Sequence, residues 1–166
     1  MKASYLESER LYYEPLSTLY SSNSYVDWLN DEEVNKYLES GGGYTIEKLN
    51  VFLKEQESKN IQFWAIVIKE SNKHIGNIKI DPIKNSIGEY GILIGDKIEW
   101  GKGYAKEASE TIIHHCFDNL KLTEIQLGVK PNNINAIKLY KTLGFEVYDF
   151  NENNISVRMK IKSKVK

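Results

Sequence analysis

The chain has 166 residues, with 22 Lys and Arg against 23 Asp and Glu and a formal net charge of −1. That length builds one domain, residues 1–166, with a substantial core, and the near-neutral balance gives nucleic acid or a membrane surface no electrostatic hold. No apolar run is long enough to span a bilayer, residues 1–7 hold no signal-peptide core, and one cysteine excludes an internal disulfide framework, so a cytoplasmic protein is expected.

In chain order, Arg10 to Leu16 reads as a first strand stopped by Pro15. Ser17 to Ser24 is polar and loop-like, and Tyr25 to Leu29 begins a helical pattern. Asn30-Asp31 caps a short helix, Glu32 to Leu38, with Val34, Tyr37 and Leu38 on one face. Ser40-Gly41-Gly42-Gly43 is a flexible break, and Thr45 caps a helical stripe of Ile46, Leu49, Phe52 and Leu53. Gln62 to Ile68, His74 to Ile80 and Ser86 to Ile94 are three strands of an antiparallel meander, because their connections are too short for crossovers; Asp81-Pro82 is expected to end the second. A helix from Gly103 to Leu120 carries Ala105, Ala108, Ile112 and Cys116 at core spacing. Then come a strand (Thr123 to Val129), a helix (Asn133 to Leu143) stopped by Gly144, and two strands, Phe145 to Phe150 and Ile155 to Ile161. The basic tail from Arg158 to Lys166 reads as a last strand and a solvated end rather than a binding arm. The expected fold is α/β of α+β type: a mixed, mostly antiparallel sheet of about seven strands with helices on both faces, in the order β-α-α-β-β-β-α-β-α-β-β.

Between the third meander strand and its following helix lies Glu99-Trp100-Gly101-Lys102-Gly103-Tyr104-Ala105. A glycine loop leading into a helix N-terminus offers free backbone N–H groups and the positive end of the helix dipole, which together bind anions. Gly101 and Gly103 let the backbone approach a phosphate, and Lys102 adds a cation. The stretch fits neither a P-loop, since Gly103 follows Lys102, nor a dinucleotide fingerprint, since position 106 is Lys. It is either a pyrophosphate loop or an ordinary loop with two glycines.

Two motifs together carry a resemblance. Trp-Gly-Lys-Gly-Tyr-Ala at 100–105, followed by Asn133-x-x-Ala136-x-x-Leu139-Tyr140-x-x-x-Gly144-Phe145, resembles the acetyl-CoA-binding core of the GNAT superfamily of N-acetyltransferases. Ile98-Glu99-Trp100 before the loop is similar to the ribosomal-protein-alanine N-acetyltransferase branch. Residues 28–38 and 74–78 also resemble acetyltransferases of amino-sugar nucleotides. The resemblance implies acetyl-CoA as cosubstrate, with no metal. Amides from Trp100 to Ala105 (Trp100, Gly101, Lys102, Gly103, Tyr104, Ala105) would hold the pyrophosphate. The backbone of Ile92, Leu93 and Ile94 would pair with the pantetheine arm where two strands splay apart. Asn133 would contact the cofactor or a water, besides capping its helix, with Asn135 as a weaker neighbour.

Acyl transfer from a thioester to an amine must remove a proton from the ammonium and supply one to the departing thiolate. Tyr140 matches the family's general acid, or is a core aromatic. Glu89 is the candidate base, acting through water, or an exposed strand charge; His74 and Asp81 are weaker alternatives. Cys116 sits mid-helix on the apolar face, where cysteine behaves as a small hydrophobe, so direct transfer is expected rather than an acyl-cysteine route. His114-His115-Cys116 makes no metal site, because adjacent helical residues diverge. The favoured acceptor is a small primary amine such as an amino-sugar nucleotide. The alternatives are the α-amino group of a protein, a polyamine drawn to an acidic mouth of Asp31, Glu32, Glu33 and Glu39, or no acceptor at all in a non-catalytic acetyl-CoA-binding module. Trp28, Tyr37, Tyr44 and Trp64 are candidate pocket aromatics, and the Gly41-Gly42-Gly43 loop a candidate lid. A homodimer is implied by analogy alone.

Overall fold

Alternation along the strands decides the layers. In the computed structural model, which describes residues 1–38, 42–151, 153 and 156–164, strand β3 (Gln62–Ile68) sends Trp64, Ile66 and Ile68 to one side and Ala65 and Val67 to the other. Both sets are buried, so the sheet must be covered on both faces. One cover is α4 (Tyr104–Asp118), through Ala108, Ile112 and Cys116, with α5 (Ile134–Leu143) beside it. The other is α1 (Asn23–Asn30), α2 (Glu32–Asn35) and α3 (Ile46–Glu57), through Tyr25, Trp28, Val34, Leu49 and Leu53. The caps are local: Ser22, Asp31 and Thr45 each accept first-turn N–H groups.

The strands are β1 (Leu6–Glu7), β2 (Leu11–Pro15), β3, β4 (Lys73–Lys84), β5 (Ile87–Ile94), β6 (Glu124–Val129), β7 (Glu146–Asn151) and β8 (Ser156–Lys162), in spatial order β1-β2-β3-β4-β5-β6-β8-β7. All neighbours are antiparallel except β5 and β6. Among the described residues the sheet therefore has eight strands rather than about seven. The addition is the edge strand β1, two residues long and too polar to show a pattern, which pairs Leu6 with Tyr13 and Glu7 with Tyr12. Three helices connect β2 to β3, matching the three helical segments read from sequence, although the expected element order counted two; Asp31 ends α1 and caps α2. Asp81-Pro82 does not end β4; the strand continues to Lys84 through a register shift between Ile80 and Ile83. Glu39, Gly41 and Ile155 lie outside the described residues.

Candidate active site

The one parallel pairing is short. β5 meets β6 at Ile87–Glu124, Gly88–Ile125 and Glu89–Gln126 and nowhere beyond. β4 nevertheless follows β5 to Ile94, and β8 follows β6 to Val129. The two halves of the sheet diverge after Glu89, leaving a cleft of about 460 Å³ lined by Tyr37, Leu38, Glu89, Ile92, Lys130, Asn133, Tyr140 and Arg158, among others.

Main-chain polarity along β5 follows from its register. The Gly95 N–H donates to the Ile75 carbonyl (2.8 Å), so the antiparallel pattern turns Leu93 and Gly91 toward β4 and Tyr90, Ile92 and Ile94 away from it. Ile92 thus presents its N–H and C=O to the opened side. Leu93 faces Asn77 of β4 instead, and the Ile94 carbonyl accepts the Trp100 indole N–H at 2.8 Å. Of the three positions expected to pair with a ligand arm, Ile92 has the geometry for it.

The glycine loop stands at the end of β5. Gly101 (φ 76°) and Gly103 (φ 83°) are both left-handed, the conformation that glycine adopts without strain. Gly103 caps α4 with no side chain, and no acceptor among the described residues takes the N–H groups of residues 101–106. The amides of Gly101, Lys102, Gly103, Tyr104 and Ala105 are therefore available at the positive end of a 15-residue helix, whereas the expected Trp100 amide is not, because it donates to the Lys97 carbonyl at 3.1 Å. Lys102 is not a free cation: its ammonium binds Glu99 at 2.9 Å, and Glu99 also meets Lys73 at 3.3 Å. Arg10, read from sequence only as the start of a strand, reaches the loop from the bend just before β2 and donates Nη1 to the Lys102 carbonyl at 2.8 Å.

Tyr140 projects from α5 into the cleft, edge-on to Tyr90 (5.6 Å between centroids) and to Phe145 (5.9 Å). Burial pushes its phenol up to about 12, so it stays protonated at neutral pH. No side chain among the described residues bonds its hydroxyl, whereas the neighbouring Tyr90 hydroxyl is engaged with Ser109 at 2.6 Å. Asn133 caps α5 by accepting the Ala136 N–H (3.3 Å) and also lines the cleft; Asn135 is exposed and does not.

Glu89 lines the cleft, but not as a lone strand charge. Arg158 of β8 reaches it in a bidentate pair, at 2.6 and 2.8 Å. The guanidinium crosses β6 over Gly128, where a side chain would crowd it, and also meets Tyr148 (3.0 Å) and Gln126 (3.3 Å). Arg158, read from sequence only as part of the last strand and its basic end, thus lines the candidate cleft. The available signal was Gly128 inside the strand Glu124–Val129, where a glycine marks close approach of another group.

The other candidates lie elsewhere. His74 is half-buried among the rings of Tyr20, Tyr25 and Trp28, and its Nε2 meets the Gly76 carbonyl and Asn77 Oδ1. It lines a separate cavity of about 500 Å³ with Tyr12, Glu14 and Tyr20. Asp81 is not among the cleft-lining residues. Cys116 is fully buried and burial pushes its thiol up to about 12, which removes the thiolate a covalent route needs. Among the expected pocket aromatics, only Tyr37 lines the cleft; Trp64 and Trp28 are core residues, and Tyr44 packs beside Asn30. Asp31 and Glu33 bind Lys97 at 2.8 and 3.3 Å rather than forming an open acidic mouth. Among the described residues no group of His, Cys, Asp and Glu could hold a metal, and no helix is long and apolar enough to cross a membrane.

The profile of the Acetyltransferase (GNAT) domain matches residues 10–146. An uncharacterized N-acetyltransferase, p20, of Bacillus licheniformis is 30% identical over 151 residues, covering 83% of each chain. A GNAT-family acetyltransferase from Bacillus anthracis superposes with a TM-score of 0.82 at 18% identity, over 96% of this chain and 98% of that one. The ribosomal-protein-S5-alanine acetyltransferase of Vibrio fischeri superposes at 0.76 and 18% identity, over 98% of both chains, which is a likeness of fold. With residues 10–146 inside one family profile, and a relative named as an N-acetyltransferase that is 30% identical over 83% of each chain, the protein belongs to the GNAT family of N-acetyltransferases, which in general draw their acetyl group from acetyl-CoA.

Proposed function

We propose that this chain transfers an acetyl group from acetyl-CoA directly to a small primary amine that also carries an anionic group, an amino-sugar nucleotide being the favoured example. The observation that carries this reading is the cleft where the β5–β6 pairing stops, with Tyr140, Glu89 and the open edge of Ile92 on its walls. The residues fit the donor: free amides at 101–106 suit a pyrophosphate, and the unpaired edge of Ile92 suits an amide-bearing arm lying like an added strand.

When bound, acetyl-CoA supplies an activated thioester. The Ile92 N–H supports developing negative charge on an acyl oxygen, a contribution that is usually large in acyl transfer. Tyr140, protonated and without a bonded side chain, gives its proton to the leaving sulfur. Glu89 holds one lone pair on each oxygen beyond those engaged by Arg158, enough to draw a proton from the acceptor ammonium through water. Arg158 fixes the carboxylate's direction.

The charge of the cleft supports the acceptor class. Its charged lining is Glu89, already paired, with Arg158 and Lys130, and Lys130 has no ion-pair partner among the described residues. A polycation would meet one free ammonium and no free carboxylate there. The test is Tyr140→Phe, assayed for thiol release and for acetyl-CoA affinity. The expected result is a fall in kcat of about a hundredfold or more with affinity within a few fold. A fully active variant would return Tyr140 to the core.

A further inference from the structure

The charge that serves the glycine loop comes from an unexpected place. Lys102 lies within the loop, yet its ammonium is turned back onto Glu99. Arg10 is 92 residues away in sequence from Lys102 and touches the loop directly. Its guanidinium is fixed on several sides. Nε donates to Glu107 Oε1 at 2.7 Å, Nη1 donates to the Lys102 carbonyl at 2.8 Å, and the group lies over the Tyr104 ring, 4.4 Å from the centroid. Glu107 is fixed in turn, because its Oε2 accepts the Arg10 backbone N–H (2.8 Å) and the Ser8 hydroxyl (2.6 Å). The remaining nitrogen, Nη2, has no partner among the described residues. It stands 3.4 Å from the point where a side chain would begin at Gly103, the residue whose missing side chain leaves the α4 amides open.

We propose that Arg10 is part of the donor site: it holds the Lys102–Gly103 peptide in position and turns Nη2 toward a phosphate oxygen of the pyrophosphate. This rests on the acetyl-CoA reading and assigns the loop's cationic donor to Arg10 in place of Lys102. Three fixed contacts leave the guanidinium little freedom to lose on binding, which suits a planar donor that meets phosphate. Glu107 offsets most of its long-range charge, so the contribution is a directed hydrogen bond and a fixed loop rather than attraction at a distance. Tyr104 and Gly103 are placed by the same guanidinium, which links strand β2 to the first turn of α4.

The experiment separates the pyrophosphate from the rest of the donor. Calorimetry measures CoA binding to the wild-type chain, to Arg10→Gln and to Lys102→Gln. In parallel, kcat/KM is measured with acetyl-CoA and with acetyl-pantetheine, which carries the thioester arm but no pyrophosphate. Thermal melts confirm that each variant is folded, and Arg10→Lys, which keeps a cation but loses the fork, replaces Arg10→Gln if that variant does not fold. The expected result is CoA affinity reduced roughly ten- to hundredfold in the Arg10 variant, with the acetyl-CoA to acetyl-pantetheine preference falling by a similar factor, and a smaller change for Lys102→Gln. Unchanged CoA affinity in the Arg10 variant, or an equal loss with both donors, would overturn the assignment and leave Arg10 a structural residue. A larger loss for Lys102→Gln would return the role to the lysine. A wild-type chain that binds no CoA would instead defeat the donor reading on which the proposal rests.

Discussion

Replacing Gly103 with valine should separate folding from donor binding. The residue sits at φ 83° and ψ 10°, and its nearest outside atom to an added Cβ is Arg10 Nη2 at 3.4 Å, ordinary contact distance. The cost is therefore conformational rather than steric. Left-handed backbone costs an L-residue about 1–2 kcal/mol, and more for a β-branched one. In a chain of this length that corresponds to a melting shift of roughly 2–8 °C, which the fold can absorb. The backbone relieves the strain by rotating out of the left-handed region, which swings the N–H groups of Gly103 and Tyr104 away from a shared anion. Losing two hydrogen bonds to a charged group amounts to about 3 kcal/mol or more, at least a hundredfold in affinity. The assay is calorimetry with CoA on protein whose melting curve has first been recorded. A folded Gly103→Val protein that binds CoA as the wild type does would refute the assignment of this loop to the pyrophosphate.

Gly95→Ala should destabilise the chain by about 1–3 kcal/mol, because a Cβ there would come within 2.3 Å of the Trp28 ring; an unshifted melting temperature would show that α1 moves freely. His74 gives a pH dependence. Burial is the largest cause holding its pKa below the ordinary 6.5, against hydrogen bonds to Asn77 and Gly76 that raise it, so the neutral form is favoured in the fold. That stability is fully present above pH 6.5 and is lost as pH falls through the lowered folded value. Unfolding free energy measured from pH 7 downward should decline more steeply for the wild type than for His74→Phe, and equal slopes would contradict the burial argument. Lys130→Glu should lower kcat/KM for anion-bearing amines by about tenfold relative to neutral ones, and an unaltered ratio would remove the acceptor-charge argument.

What could be read from sequence depended on how local the cause was. Helix α5 was legible at both ends to within one residue, because Asn133 caps it and Gly144, at φ 104°, closes it through contacts a few residues apart. The glycine loop was legible for the same reason: Gly101 and Gly103 need their conformations whatever the rest of the chain does. Lys102 and Arg10 show the limit. Which of two cations faces a loop depends on Glu99 and Glu107, and on a strand that arrives from the other end of the chain. Glu89 and Arg158 are 69 residues apart, and their pairing requires β8 to lie beside β6 with Gly128 between them. The aromatics failed differently. Trp28 and Trp64 have the composition of a binding wall, but strand parity and helix facing put them in the core, and of the four aromatics expected at the acceptor pocket Tyr37 alone lines the cleft.

The most direct measurement is release of free thiol from acetyl-CoA across four amine classes: amino-sugar nucleotides, N-terminal peptides, polyamines and aminoglycosides. The account predicts turnover, fastest with the anion-bearing small amines and lost in Tyr140→Phe. Binding of acetyl-CoA with no thiol release on any class would contradict it and make the cleft a non-catalytic acetyl-CoA site.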